Sequence, residues 1–83
     1  MVQQSVVTMV KIGDVVKRCA RGQSTIYADI SRGLFPKPVK VGVKSSAWPE
    51  SDVDAINRAR IAGKSADEIR ALVAKLEANR VKG

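Results

Sequence analysis

The chain predicts a mainly helical fold carrying a small β-hairpin, on three observations. Ile12, Val15, Val16 and Cys19 fall at i, i+3, i+4 and i+7, one apolar stripe of a short helix. Residues 22–40, GQSTIYADISRGLFPKPVK, read as a second short helix that stops at Gly33 and enters a Pro-bracketed basic segment. Val39, Val41 and Val43 then alternate with Lys40, Gly42 and Lys44, the period of a strand. Two helices across a tight turn, followed by a basic hairpin, form a winged helix-turn-helix.

Residues 1–10 (MVQQSVVTMV) are polar, then β-prone. They read as a flexible arm, the default for a terminus, with a short strand beside the hairpin as the alternative. The first helix spans 11–19, with Asp14 in its first turn and Lys17 and Arg18 in its last, as the helix dipole favours. Cys19 ends the stripe as a small core residue. Ala20, Arg21 and Gly22 make the turn. The second helix spans 23–32, with Ile26 and Ile30 facing the core and Gly22 as N-cap.

Leu34 and Phe35 close the core beneath that helix, and Pro36 and Pro38 hold the chain extended. Residues 42–46 make the hairpin tip and Ala47-Trp48 return, with Trp48 read as buried rather than stacked on a base. Pro49 opens a third helix in the favoured first turn, near Glu50, Asp52 and Asp54. Those acids, and Arg58 and Arg60 at the other end, are accounted for by the helix dipole. Gly63 stops the helix.

Ser65 to Glu68, SADE, is a capping box for a last helix whose stripe is Ile69, Leu72, Val73 and Leu76. That face has two readings: cover for a small core, which is favoured, or a protein–protein face that lets copies assemble. Arg80 and residues 81–83 read as a frayed tail. The chain thus divides into an arm (1–10), a winged helix-turn-helix domain (11–63), a C-terminal amphipathic helix (64–80) and a tail (81–83).

Eighty-three residues make one small domain, too small for a buried enzyme cleft. With no His and a single Cys, zinc-finger spacing, disulfides and the usual acid–base side chain are excluded. No catalytic residue, metal ligand or cofactor is expected, and a reduced, cytoplasmic setting follows. No apolar run has the length of a membrane span. The net charge of +7 calls for an anionic partner. Residues 1–48 hold eight Lys/Arg against two acids, a net of +6, whereas residues 49–83 hold seven against six, a net of +1. The positive charge lies in the half that would read double-stranded DNA.

In this motif the N-terminal residues of the second helix meet base edges. Gln23 suits adenine, and Ser24 and Thr25 suit either a base edge or a phosphate. Tyr27 has two equal readings, a ring over the core or a hydroxyl on phosphate. Arg18, Arg21, Arg32, Lys37 and Lys40 are the phosphate candidates. Lys44, Ser45 and Ser46 form a wing tip that straddles a phosphate or enters the minor groove. Asp29 is expected along the protein surface, away from phosphate. About five phosphate contacts give a salt slope of roughly −4 to −5.

STIYADISRGLFPKPVKVG followed by AWPESDVDAINRARIAGKSADEIRALVAKLE resembles the AlpA-type phage regulatory proteins. These are small winged helix-turn-helix proteins related to excisionases, and the resemblance runs from Ile12 to Leu76. It implies a MerR/excisionase-like fold with C-terminal helices. Relatives commonly carry glycine, leucine and serine in the turn, where this chain has Ala20, Arg21 and Gly22. They often carry arginine where Gln23 and Ala28 stand, so Ala28 implies less charge in the groove and a contact with a thymine methyl.

The family mixes two roles. A recombination directionality factor binds beside the attachment site of an integrated element and bends the DNA so that an integrase assembles the excising complex. A transcription regulator sits at a promoter. The resemblance therefore implies double-stranded DNA and an integrase as partners, with the excision role favoured, and a single domain this small, covering about one half-site, predicts several copies on repeated sites. From other classes, an enzyme lacks a nucleophile with a base or a phosphate-cradling glycine loop. An adaptor acting through the last helix predicts that Arg32→Glu and Lys44→Glu leave activity intact.

Overall fold

Four helices and a three-stranded antiparallel sheet make up the computed structural model, which describes residues 8–80. In chain order these are β1 (Met9–Val10), α1 (Ile12–Cys19), α2 (Gln23–Ser31), β2 (Val39–Lys40), β3 (Ser46–Pro49), α3 (Glu50–Ile61) and α4 (Ala66–Arg80). The winged helix-turn-helix expected from the sequence fits this order.

The α1 stripe seats Val15 fully in the core, with Ile12 and Cys19 packed beside it. Ala20 ends α1 in the left-handed region at φ 56°, an uncommon conformation for a residue with a Cβ. That reversal lets Gly22 cap α2, whose first turn closes where the Ile26 N–H donates to the Gly22 carbonyl at 3.0 Å. Ile26 is buried, and Gly33 at φ +76° ends the helix as expected.

Trp48 is the centre of the core. Phe35 meets it edge-on at 6.1 Å between ring centroids, and its indole N–H donates to the Pro36 carbonyl at 2.8 Å. A buried indole needs such a partner, so the Pro-bracketed segment is fixed at Pro36. Val53, Ile56 and Ala59 of α3 complete this core.

The sheet order is β1-β3-β2, with Val10 opposite Trp48 and Val39 opposite Ala47. Met9 and Val10 thus take the strand alternative, and the Glu50 N–H donates to the Thr8 carbonyl. The rest of the expected flexible arm, residues 1–7, lies outside the described residues, as does the 81–83 tail.

The structure corrects the extent of the wing strand and the frayed Arg80. The strand through Val41 and Val43 is not formed: β2 ends at Lys40, and a last rung joins the Val41 N–H to the Ser45 carbonyl at 3.0 Å. The chain has to reverse within 42–44, so the period-two valines run into the turn, leaving Val43 89% exposed. Arg80 does not fray: its guanidinium grips Asp52 at 2.6 Å, which is why Asp52 is buried rather than a solvated helix-start charge. Ile69 and Val73 of α4 are buried in the chain's own core, with Leu72 and Leu76 packed against it. The stripe therefore takes its favoured reading, cover for the core.

Pro49, expected in the first turn of α3, instead ends β3 and stands as the N-cap of that helix, whereas two other local signals hold. The Glu68 N–H donates to Ser65 Oγ at 3.2 Å, and the Ser65 N–H donates to Glu68 Oε1 at 2.8 Å, closing the capping box of α4. Gly63 ends the α3 turn at φ +77°.

Candidate nucleic-acid interface

One face of α2 is anchored by buried Ile26 and Asp29, so its first turn is left outward. Gln23, Ser24 and Thr25 are all exposed there, and Ala28 is half-buried. Tyr27 combines its two readings: its ring leans on Trp48 at 6.4 Å between centroids, yet the residue stays 45% exposed.

The hairpin brings the wing tip to this helix. A cleft of about 300 Å³ is lined by Tyr27, by Lys44, Ser45 and Ser46, and by Lys11 and Ile12 at the start of α1. Two ammonium groups and three hydroxyl-bearing side chains line this one opening, a chemistry suited to a phosphodiester oxygen. Lys11 and Ile12 were not among the interface residues expected from the sequence, where Ile12 counted only toward the apolar stripe of α1. The signal was a lysine directly preceding a helix, which by itself does not show that a hairpin folds over it.

The cations divide sharply. Arg18 binds Glu50 at 2.6 Å and lies 4.0 Å from Asp54. Arg21 binds Asp29 at 2.9 Å, and its Nε is buried without a partner among the described residues. Both phosphate candidates are thus committed to carboxylates within the chain. Asp29, expected along the surface, is instead 2% exposed beneath Arg21, with Arg60 at 3.5 Å. Arg32, Lys37 and Lys40 are exposed and form no ion pair among the described residues, and the same holds for Lys11 and Lys44. Every ion pair among the described residues is made by an arginine.

Two titrations are displaced among the described residues. Burial pushes the Cys19 thiol up, with Arg60 and Arg21 pulling partly the other way. The Ser65 backbone N–H, followed by its hydroxyl, holds the Glu68 carboxyl below the ordinary glutamate value. Among the described residues no group of three or more His, Cys, Asp or Glu is placed to hold a metal, and no helix is long and apolar enough to cross a membrane. A larger groove of about 550 Å³ between the sheet and the two last helices holds none of the base-reading or wing-tip residues.

An exposed small-polar helix start beside a lysine-bearing hairpin tip is the architecture of a winged helix-turn-helix protein. The chain belongs to the family described as Prophage CP4-57 regulatory protein (AlpA), which matches residues 8–60. A relative from Enterobacteria phage P4, Uncharacterized protein ORF88, is 41% identical over 54 residues, 65% of this chain. The aligned part spans 61% of that relative's length. No solved structure matches the chain. The family match ends at residue 60, short of the resemblance to Leu76, so α4 lies outside it.

Proposed function

We propose that this chain is a sequence-specific DNA-binding protein that works as a recombination directionality factor. It binds beside the attachment site of an integrated element and bends the duplex so that an integrase assembles the excising complex. It performs no strand chemistry. The observation that carries the reading is the shared cleft of Tyr27, Lys11 and the wing-tip residues 44–46, beside the exposed turn of Gln23, Ser24 and Thr25.

In this reading Gln23, Ser24, Thr25, Tyr27 and Ala28 face base edges. Lys11, Arg32, Lys37, Lys40 and Lys44 meet phosphates, with Ser45 and Ser46 beside them. A nine-residue reading helix and one wing give modest affinity alone, so several copies on repeated sites supply occupancy and curvature. Bound protein would be found with the nucleoid. A second reading, a regulator acting at a promoter only, is favoured by the family's description as regulatory.

Selection of bound sequences from a random duplex pool tests both. Closely spaced direct repeats, with integrase-dependent excision stimulated by the protein, support the directionality factor. A solitary or inverted site without such stimulation supports the promoter regulator. No enrichment overturns base reading by residues 23–28. DNA retention unaffected by Arg32→Glu and Lys44→Glu removes the interface itself and favours an adaptor.

A further inference from the structure

The segment between the recognition helix and the wing, residues 32–38, contains no regular element. Its length and shape nevertheless set how the two reading elements lie relative to each other. One helix holds it at its start and near its end. Arg70 Nε donates to the Arg32 carbonyl at 2.9 Å. Glu77 Oε2 accepts the Lys37 N–H at 2.8 Å, and Arg80 Nη1 donates to the Lys37 carbonyl at 2.6 Å. The Arg70 stem also packs over Gly33, where a Cβ would meet Arg70 Cγ at 3.7 Å.

These three side chains recur at i, i+7 and i+10 of α4, along the edge of the stripe that buries Ile69 and Val73. Burial of that stripe fixes the helix, and the fixed helix fixes the linker. Each contact joins a charged group to a backbone atom, the stronger kind of hydrogen bond. Core cover alone does not require them.

We propose that Arg70, Glu77 and Arg80 are positioning residues for DNA reading, setting the angle between the recognition helix and the wing. The inference rests on the DNA-binding reading above and adds a role for α4, the helix outside the matched family region. Base-edge contacts and wing contacts must be made together for discrimination, whereas loose phosphate attraction tolerates a mobile wing.

The test compares full-length Glu77→Ala, Glu77→Gln and Arg70→Ala with the native protein. Arg80 is left intact because it also neutralises buried Asp52. Circular dichroism and urea melting establish that each variant is folded. Amide exchange at Lys37 in the free protein reports the linker. The ratio of affinities for the selected site and for random duplex reports discrimination. Glu77→Ala is expected to speed Lys37 exchange and to lower discrimination by about tenfold, the scale of one charge-assisted hydrogen bond.

Glu77→Gln has the same charge as Glu77→Ala but keeps an acceptor, so it is expected to restore both readouts. Arg70→Ala changes net charge in the opposite direction and is expected to lose discrimination as well. Identical behaviour of Glu77→Ala and Glu77→Gln overturns the proposal, because net charge alone would then explain the effect. Faster Lys37 exchange with unchanged discrimination also overturns it, and leaves DNA binding standing. A native protein that prefers no site removes base reading and the positioning role together, and that failure shows before any variant is made.

Discussion

Asp29 of the recognition helix lies 2.9 Å from the guanidinium of Arg21 in the turn that precedes it. Arg60 of α3 reaches the same carboxylate oxygen at 3.5 Å. One acid therefore ties the turn, the reading helix and the third helix together. Removing one partner of a fully buried pair costs about 3–5 kcal/mol. Here both arginines keep about a third of their side-chain exposure and can rehydrate, so Asp29→Ala is expected to cost about 2 kcal/mol. Urea unfolding should show a lower midpoint at an unchanged slope. An unchanged midpoint would show that the cluster contributes no net stability.

The same geometry separates arginines that hold the fold from the cations that meet DNA in the proposed function. Lys44→Ala and Arg32→Ala should each flatten the dependence of log affinity on log salt by about 0.9. Arg21→Gln should leave that slope alone while lowering the urea midpoint. A flattened slope for Arg21→Gln would mean that Arg21 leaves Asp29 and meets phosphate in the complex.

Acid should loosen α4 at its start. The Glu68 carboxyl titrates below its ordinary value because the Ser65 N–H and hydroxyl favour its ionised form. Its contribution is therefore present above the unfolded glutamate value and is lost as pH falls through the lower folded value, a window opening below about pH 4.3. Far-UV circular dichroism across that window should show helix loss that Glu68→Gln reduces, since glutamine keeps an acceptor but cannot titrate. Identical curves for the two proteins would remove the capping box from the acid transition.

Cys19 should be a slow nucleophile. Burial raises its pKa, so the thiolate fraction at pH 8 is smaller than that of a free cysteine. Alkylation by iodoacetamide should accordingly lag behind that of a small-molecule thiol. Arg60→Gln, which removes a charge that lowers this pKa, should slow it further. Faster alkylation in that variant would mean that opening of the α1–α2 turn, rather than thiolate fraction, controls the rate.

What the sequence disclosed was mostly local. Gly33, Gly63 and the Ser65–Glu68 box each act within a few residues, and each ends or begins a helix where the residues indicate. The exposed start of the reading helix was legible for the same reason, since Ile26 fixes which face turns inward. Pairings between distant residues were not legible. Arg18 and Glu50 lie 32 positions apart, and nothing near Arg18 distinguishes an arginine that binds an acid from one that waits for phosphate. Asp52 was similarly ambiguous, because a helix dipole accounts for an acid in the first turn whether or not Arg80 returns to cover it. Val41 and Val43 misled because alternation marks a strand but does not mark where it turns.

The split between the two kinds of cation has a consequence for how such a protein can change. Because no lysine among the described residues joins an ion pair, acetylation of Lys11, Lys40 or Lys44 would erase interface charge and leave every internal pair in place. Side-chain substitution at those positions likewise breaks no ion pair among the described residues. Under the proposed function, grip on phosphate can therefore drift through lysine positions, while the ion-paired arginines keep the scaffold unaltered.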